Sequence, residues 1–582
     1  MCGIFTLLNN TEKGFDKEFI KKQFKKGKSR GPENSVIENA GTKTILGFHR
    51  LAINGLNDKS NQPIIIDDIS LICNGEIYNY KSLYKMMDIV PKTDSDCEVI
   101  IHLYKKYGID QTLQMLDGVF AFVLCDQNIH SDTSKLFVAR DPYGVRPLYF
   151  LKPTFEYESS SLYGFASEIK VLSEFKNHLE NYQIEHIKPG TYTKFVMPFT
   201  VSSRWILTKE YVKYHSTGFN SILNKDDMTT IFNRIQYYLF QAVKKRVLTT
   251  DRPVACLLSG GLDSSLITAI VNDIHKQNNL PQLETYSIGL KGSEDLKYAR
   301  IVADYLDTNH TEIIVSEREF LDAIPDVIYA IESYDTTTVR ASIGNYLLGE
   351  YISKHSEAKV IFNGDGSDEL CGGYLYMHKA PDAIEFDKEC RRLLEDIHAF
   401  DVLRSDKCIS SHGLEPRTPF LDRSFVQYYL SIHPNIRFHP RNNDCEKYLL
   451  RKAFSIDYFE NNDGLQLLPD CILWRRKEAF SDGVSETSRS LYQIIQDYLK
   501  EKFKNRNPNN YNINHNKPDT IEKQYYRDIF EGYYPNVANV VPYFWMPRYV
   551  NATDASARTL QLYNNNVQKF DEKQYDSRLK YI

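Results

Sequence analysis

At 582 residues the chain is too long for one hydrophobic core, so two to four domains are expected. A net charge of −5 with no basic tract argues against a nucleic-acid partner. No apolar run approaches the ~18–20 residues of a membrane span, and Lys13, Lys17, Lys21 and Lys22 break the N-terminus too early for a secretory leader.

The predicted elements divide the chain into unlike halves. Residues 1–200 read as β-rich, with short apolar runs at 64–66, 69–73, 119–125 and 136–139. Turn residues such as Asn74-Gly75 and Asp141-Pro142-Tyr143-Gly144 end these runs, and helical patterns lie at 81–87 and 96–107. This half is α+β. A Ser/Thr/Asn/Lys mixture over 201–229 reads as a linker. After it, helix and strand alternate. Helices are expected at 232–247, 266–275, 296–306, 319–331 and 343–353, and strands at 253–258, 284–288, 311–315 and 359–363. Such alternation means a parallel sheet covered by helices. Residues 378–540 read as helical, and the tail 546–582, with Asn564-Asn565-Asn566, as extended or partly disordered. The ten cysteines show no C-x-x-C spacing, which fits reduced thiols in the cytoplasm.

Two motifs carry chemistry. The chain opens Met1-Cys2-Gly3-Ile4, so loss of Met1 would leave a thiol beside a free α-amine. The amine titrates near ~8 and can act as the thiol's base. Acyl transfer from an amide also needs an oxyanion hole, which a side-chain amide beside a glycine N–H at Asn74-Gly75 can supply. A free amino acid needs a cation for its carboxylate, such as Arg50, and an anion for its ammonium, such as Glu76 or Asp96. The second motif, Ser259-Gly260-Gly261-Leu262-Asp263-Ser264, lies between a strand and a helix. The glycines let backbone approach a phosphate, and helix N–H groups point at it. It is neither a Walker A loop nor a G-x-G-x-x-G turn.

The first half resembles the class II, N-terminal nucleophile, glutamine amidotransferases. Met1-Cys2-Gly3-Ile4, Arg30-Gly31-Pro32-Glu33, Phe48-His49-Arg50-Leu51-Ala52-Ile53, Asn74-Gly75-Glu76-Ile77-Tyr78-Asn79, Ser95-Asp96-Cys97-Glu98 and 139–148 carry the likeness in order. It implies a four-layer αββα sandwich, with Cys2 attacking the glutamine side-chain amide and Asn74 and Gly75 as oxyanion hole. Arg50, the backbone of Leu51, Ala52, Ile53 and Asn54, and Glu76 and Asp96 would hold the α-groups of glutamine.

Residues 230–545 resemble the PP-loop ATP pyrophosphatases, and within them the glutamine-hydrolysing asparagine synthetases. The likeness rests on the Ser259 loop, 334–342, 363–369, 372–374, 419–422 and 476–483. It implies an α/β PP-loop domain with a parallel sheet and a helical C-terminal part. Leu258 and Ile288 would hold adenine, Ser259, Gly260, Gly261, Asp263 and Ser264 the phosphates, and Asn363 and Gly364 the ribose. Asp263 and Asp368 would bind Mg2+; Thr337, Thr338 and Arg340 would lie near the acyl acceptor and phosphates. Lys477 would neutralise the leaving pyrophosphate, and Asp365 would act in forming and aminating the adenylate. The family has Ser-Gly-Glu-Gly-Ser-Asp where this chain has Asn363-Gly364-Asp365-Gly366-Ser367-Asp368, an acid shorter by one methylene.

The implied reaction is ATP-dependent asparagine synthesis from aspartate with ammonia from glutamine. It would pass through a β-aspartyl-AMP and release AMP, pyrophosphate and glutamate. The family also implies a homodimer, and the charge and hydropathy argue against nucleic-acid and membrane partners. An amidotransferase acting on another carboxylate, and an inactive paralogue with a binding or regulatory role, stand as alternatives.

Overall fold

The computed structural model describes residues 1–560 except 11–13, 42, 128–131, 156–160, 200–202, 219–225, 443–444, 460–464, 479–482, 486–488 and 505–514. Ala479–Asp482 of the 476–483 motif, parts of the expected linker, and the tail beyond 560 lie outside the described residues.

The N-terminal half is a stack of short apolar strands, the central ones buried on both faces. They are β1 (Gly3–Leu8), β2 (Asn34–Asn39), β3 (Thr44–Arg50), β4 (Ile64–Ile66), β5 (Ile69–Ile77), β6 (Gly118–Asp126), β7 (Thr133–Arg140), β8 (Tyr149–Pro153), β9 (Tyr163–Ala166), β10 (Tyr182–His186), β11 (Thr191–Pro198) and β12 (Ile206–Lys213). Two six-stranded sheets result, ordered β10-β8-β9-β1-β3-β2 and β12-β11-β7-β6-β5-β4. The pairings are antiparallel. On β1, Ile4 and Leu8 join Phe48, Ile72 and Val138 in one core. The alternate residues Phe5 and Leu7 pack with Phe24, Ile169 and Leu172 of flanking helices. On β5, Leu71 and Cys73 face Leu83, Ile100 and Leu103 of helices Tyr80–Met87 and Val99–Met115.

Two local expectations are corrected. Asn74-Gly75 is not a turn: β5 runs through it to Ile77, with Asn74 opposite Ala121 and Gly75 opposite Phe120. A Cβ on Gly75 would come 2.5 Å from the Val119 carbonyl and 2.7 Å from Phe120 Cα, so glycine lets β5 press against β6. Part of the expected linker is strand β12, on the sheet edge. It is anchored by buried Trp205, whose N–H and carbonyl are both bonded at 2.9 Å by the Asn9 side chain.

The C-terminal half carries β13 (Val254–Leu257), β14 (Glu284–Leu290), β15 (Asn309–Val315), β16 (Val360–Phe362) and β17 (Glu415–Arg417) in the order β15-β14-β13-β16-β17. The pairings are parallel. The order reverses at β13. In such sheets ligands bind beyond the strands' carboxyl ends at that reversal. β17, Glu415-Pro416-Arg417, has no apolar signature; proline is tolerated because the strand is on the edge. Within the described part of the tail, Ala557–Thr559 forms a 3-10 turn, and Leu560 is buried with Trp545, Tyr376, Phe386 and Phe400.

Candidate active sites

Cys2 precedes β1 and is half-buried. Its N–H donates to Asn74 Oδ1 at 3.1 Å, and its Sγ lies 3.6 Å from the Leu51 carbonyl. Asn74 is fully buried, and its Nδ2 has no hydrogen-bond partner among the described residues. A buried amide donor left open beside a thiol is costly unless something accepts from it. Burial pushes the Cys2 thiol up, so it needs a base near neutrality. Met1 is present and buried, its ammonium 3.7 Å from Glu415.

The predicted α-group residues converge here. Arg50 donates to Asn57 O at 2.9 Å, to Asn61 Oδ1 at 2.6 Å and to Gly55 O, all neutral acceptors. Its charge stays available to a carboxylate. Asn54 Nδ2 donates to Glu76, and Asp96 accepts from Ile77 N–H at 2.6 Å. Burial pushes Asp96 up to about 6. Burial and then the neighbouring Asp96 push Glu76 well above the usual carboxylate range. An incoming ammonium would favour the ionised form of both carboxyls and pull them back down.

The second site is a cavity of about 210 Å³ at the β13 reversal. Leu258, Ser259, Gly261, Asp263, Ser264, Ile288, Asn363, Gly364, Asp365, Asp368, Thr337, Thr338 and Lys477 all line it. Gly260 does not. It has φ +70°, and a Cβ there would come 2.4 Å from Ala299 N and Tyr298 C, so it makes the turn that brings Gly261 forward. Ser259 and Ser264 hydroxyls bond each other at 2.9 Å across the loop.

Asp263 and Asp368 stand in the first turns of helices Leu262–Gln277 and Ser367–Cys371. Lys447 Nζ lies 2.6 Å from each; Lys477 Nζ is 2.7 Å from Asp368 and 3.6 Å from Asp263. Burial opposes charge on Asp368, but the two lysines outweigh it and hold the carboxyl well below its usual range. Two carboxylates converging at a phosphate loop suit Mg2+, which takes few protein ligands and fills its shell with phosphate oxygens and water. No cluster of three or more potential ligating side chains occurs among the described residues.

Asp365 is held from one side. Its Oδ1 accepts from Arg404 at 3.1 Å, while Oδ2 is buried without a partner among the described residues. Arg340 is placed elsewhere than expected. It does not line the cavity; Glu522 and Asp554 bind its guanidinium.

Helix Asp401–Ser410 touches both sites. Arg404 holds Asp365, and Ser405 Oγ accepts from Asn363 Nδ2 at 2.7 Å. Farther along, Asp406 and Ser410 bind Arg30 at 2.8 and 2.9 Å, and Arg30 Nε donates to the Cys2 carbonyl at 3.0 Å. Arg417 of β17 lies 3.5 Å from Glu76. Lys447, Arg404 and Asp401 were not among the expected site residues. None sits in a recognisable motif, and only the fold brings them to the cavity.

Comparison with known proteins agrees across the chain. The Asparagine synthase family matches residues 234–387 and 380–539, and the Glutamine amidotransferase domain family matches residues 1–206. The chain is 40% identical to the asparagine synthetase (glutamine-hydrolyzing) of Gallus gallus over 596 residues, covering 98% of this chain and 100% of the other. The proteins of that name from Mus musculus and Homo sapiens are each 40% identical, covering 92% of this chain and 95% of theirs. No helix among the described residues is long and apolar enough to cross a membrane.

Proposed function

The chain belongs to the glutamine-hydrolysing asparagine synthetase family, and on that premise we propose how its two sites divide the work. The enzyme makes asparagine with nitrogen from glutamine and consumes ATP. The N-terminal half is read as a four-layer αββα sandwich that liberates ammonia. Removal of Met1 turns the Cys2 nitrogen, already held by Asn74 Oδ1, into the α-amine that takes the thiol proton. The thiolate attacks the glutamine side-chain carbonyl. Asn74 Nδ2 and the Gly75 N–H receive the oxyanion, Arg50 the α-carboxylate, and Glu76 and Asp96 the α-ammonium. The observation that carries this reading is the buried, open Nδ2 of Asn74 beside the thiol.

In the cavity, ATP adenylates the aspartate side-chain carboxylate. A carboxylate oxygen attacks the α-phosphorus, the bond to the bridging oxygen breaks, and pyrophosphate leaves. Ammonia then attacks the acyl carbon and AMP departs. Leu258 and Ile288 border the adenine, and Asn363 and Gly364 the ribose. Ser259, Gly261 and Ser264 cradle the phosphates, while Gly260 shapes the turn. Thr337 and Thr338 face the acceptor. Asp263 and Asp368 would hold Mg2+, which supplies charge neutralisation to the phosphates when bound. Lys477 and Lys447 offset charge on the leaving pyrophosphate. Asp365 Oδ2 faces the ammonia and its proton. Ten free cysteines support a cytoplasmic setting, and family resemblance supports a homodimer.

The test is a nitrogen-source comparison. Cys2→Ala is expected to abolish glutamine hydrolysis and glutamine-dependent synthesis while synthesis from ammonium salts persists. Equal loss with both nitrogen sources would overturn the division of labour.

A further inference from the structure

Arg340 and the residues after 545 remain without a role in this scheme, and the structure joins them. We propose that residues 545–560 form the outer wall of the synthetase cavity, held there by Arg340 through Asp554, and that Trp545 shields the acyl-adenylate from water. The inference rests on the adenylation reading above.

Trp545 and Ala557 line the cavity together with Thr337, Asp365 and Lys477. The Trp545 N–H donates to Asp335 Oδ1 at 2.8 Å. The other oxygen of Asp335 caps helix Thr336–His355, accepting from Thr338 N at 2.9 Å and Thr338 Oγ1 at 2.8 Å. One buried carboxylate therefore ties the wall to the helix end that carries Thr337 and Thr338.

One turn along that helix, Arg340 is buried between two forks. It binds Glu522 at 2.8 and 2.6 Å and Asp554 at 2.7 and 2.8 Å. Paired bidentate contacts of this kind fix orientation as well as position. Removing one partner from such a buried cluster is strongly disruptive. Aromatic and charged contacts also seat the wall. The Trp545 ring lies 5.3 Å from Tyr374, whose hydroxyl oxygen is 2.5 Å from Glu369 and 2.9 Å from Asp401. Arg548 pairs with Glu389 at 3.2 Å, and Leu560 is buried against the same cluster.

An indole presents a large apolar face. At the mouth of a cavity holding a reactive acyl group, such a face excludes water. The adenylate has two fates. Ammonia attacks the acyl carbon to give asparagine and AMP. Water attacks the same carbon, breaks the same acyl–oxygen bond, loses a proton to solvent and returns aspartate with AMP. Pyrophosphate has already left in either case. A breached wall therefore appears as pyrophosphate made without asparagine, a ratio that general loss of stability does not move.

The experiment uses the full chain with ATP, Mg2+, aspartate and ammonium, and measures pyrophosphate and asparagine together. Wild type is expected to give them in nearly equal amounts. Trp545→Ala and Asp554→Asn are expected to raise pyrophosphate per asparagine several-fold, with Trp545→Phe restoring most of the coupling. Glutamine hydrolysis stays at the wild-type level in all three and reports folding of the other half. An unchanged ratio in Trp545→Ala and Asp554→Asn overturns the inference alone. So does complete loss of pyrophosphate formation with glutamine hydrolysis intact, because an open wall leaves adenylation running. ADP instead of pyrophosphate from wild type overturns the adenylation reading and the inference with it.

Discussion

Asp96 sets the pH behaviour of the thiol site. Burial pushes its carboxyl up to about 6, so the free enzyme carries it protonated below that pH and ionised above it. The α-ammonium of glutamine stays charged throughout and needs the ionised form. kcat/KM for glutamine, which reports the free enzyme, is therefore expected to fall as pH drops through about 6. Asp96→Asn removes that break. A profile flat from well above to well below this pH would contradict the assignment. In the other site, Asp365 reaches about 1.5 Å less far than a glutamate, the length of one carbon–carbon bond. A misplacement of about 1 Å can cost on the order of 100-fold. Arg404 fixes Oδ1, while Oδ2 is buried without a partner among the described residues. Asp365→Ala is expected to lower asparagine formation from ammonium by about 100-fold or more, whereas Asp365→Glu retains or raises it. Wild-type activity in Asp365→Ala would remove the chemistry from this position and shift the acceptor away from aspartate.

At the scale of elements, the strand–loop–helix unit β13, Ser259–Gly261 and Leu262–Gln277 carries the proposed nucleotide site. Gly260→Ala places a methyl 2.4 Å from the Ala299 and Tyr298 backbone, at a φ that L residues disfavour. It is expected to abolish nucleotide-dependent synthesis while glutamine hydrolysis survives; retention of synthesis would show that the turn is not needed. This unit was legible in the sequence because its glycines, hydroxyls and flanking apolar runs are contiguous. Cys2, Asn74, Glu76 and Asp96 were singled out from short separate motifs; Cys2 precedes β1, Asn74 and Glu76 lie within β5 rather than in the expected turn, and Asp96 opens a 3-10 helix. β17 was not legible, since Glu415 and Arg417 are buried by pairing with each other at 2.9 Å rather than by apolar contact. Lys447, in a left-handed conformation at φ +59°, reaches Asp263 from 184 residues away, a contact no local pattern announces. Arg340 stood in a matching motif, but its partners Glu522 and Asp554 lie 182 and 214 residues downstream and draw it off the cavity.

For the whole molecule, the halves are joined by charge as much as by apolar surface. Arg30 binds Glu168 of its own half and Asp406 and Ser410 of the other, while its Nε holds the Cys2 carbonyl. Arg417 approaches Glu76 from the opposite half. Buried pairs of this kind are costly to break, so they fix the two sites in one relative placement. On the proposed scheme, nitrogen freed at Cys2 is used in the cavity lined by Asp365, at the expense of an α,β cleavage of ATP. The most direct measurement follows glutamine labelled with heavy nitrogen at its side-chain amide, in one reaction with aspartate, ATP and Mg2+, and quantifies every product. Asparagine labelled at its side-chain amide is expected, with AMP and pyrophosphate formed in step with it. Unlabelled asparagine, no asparagine, or ADP and phosphate in place of AMP and pyrophosphate would contradict the scheme.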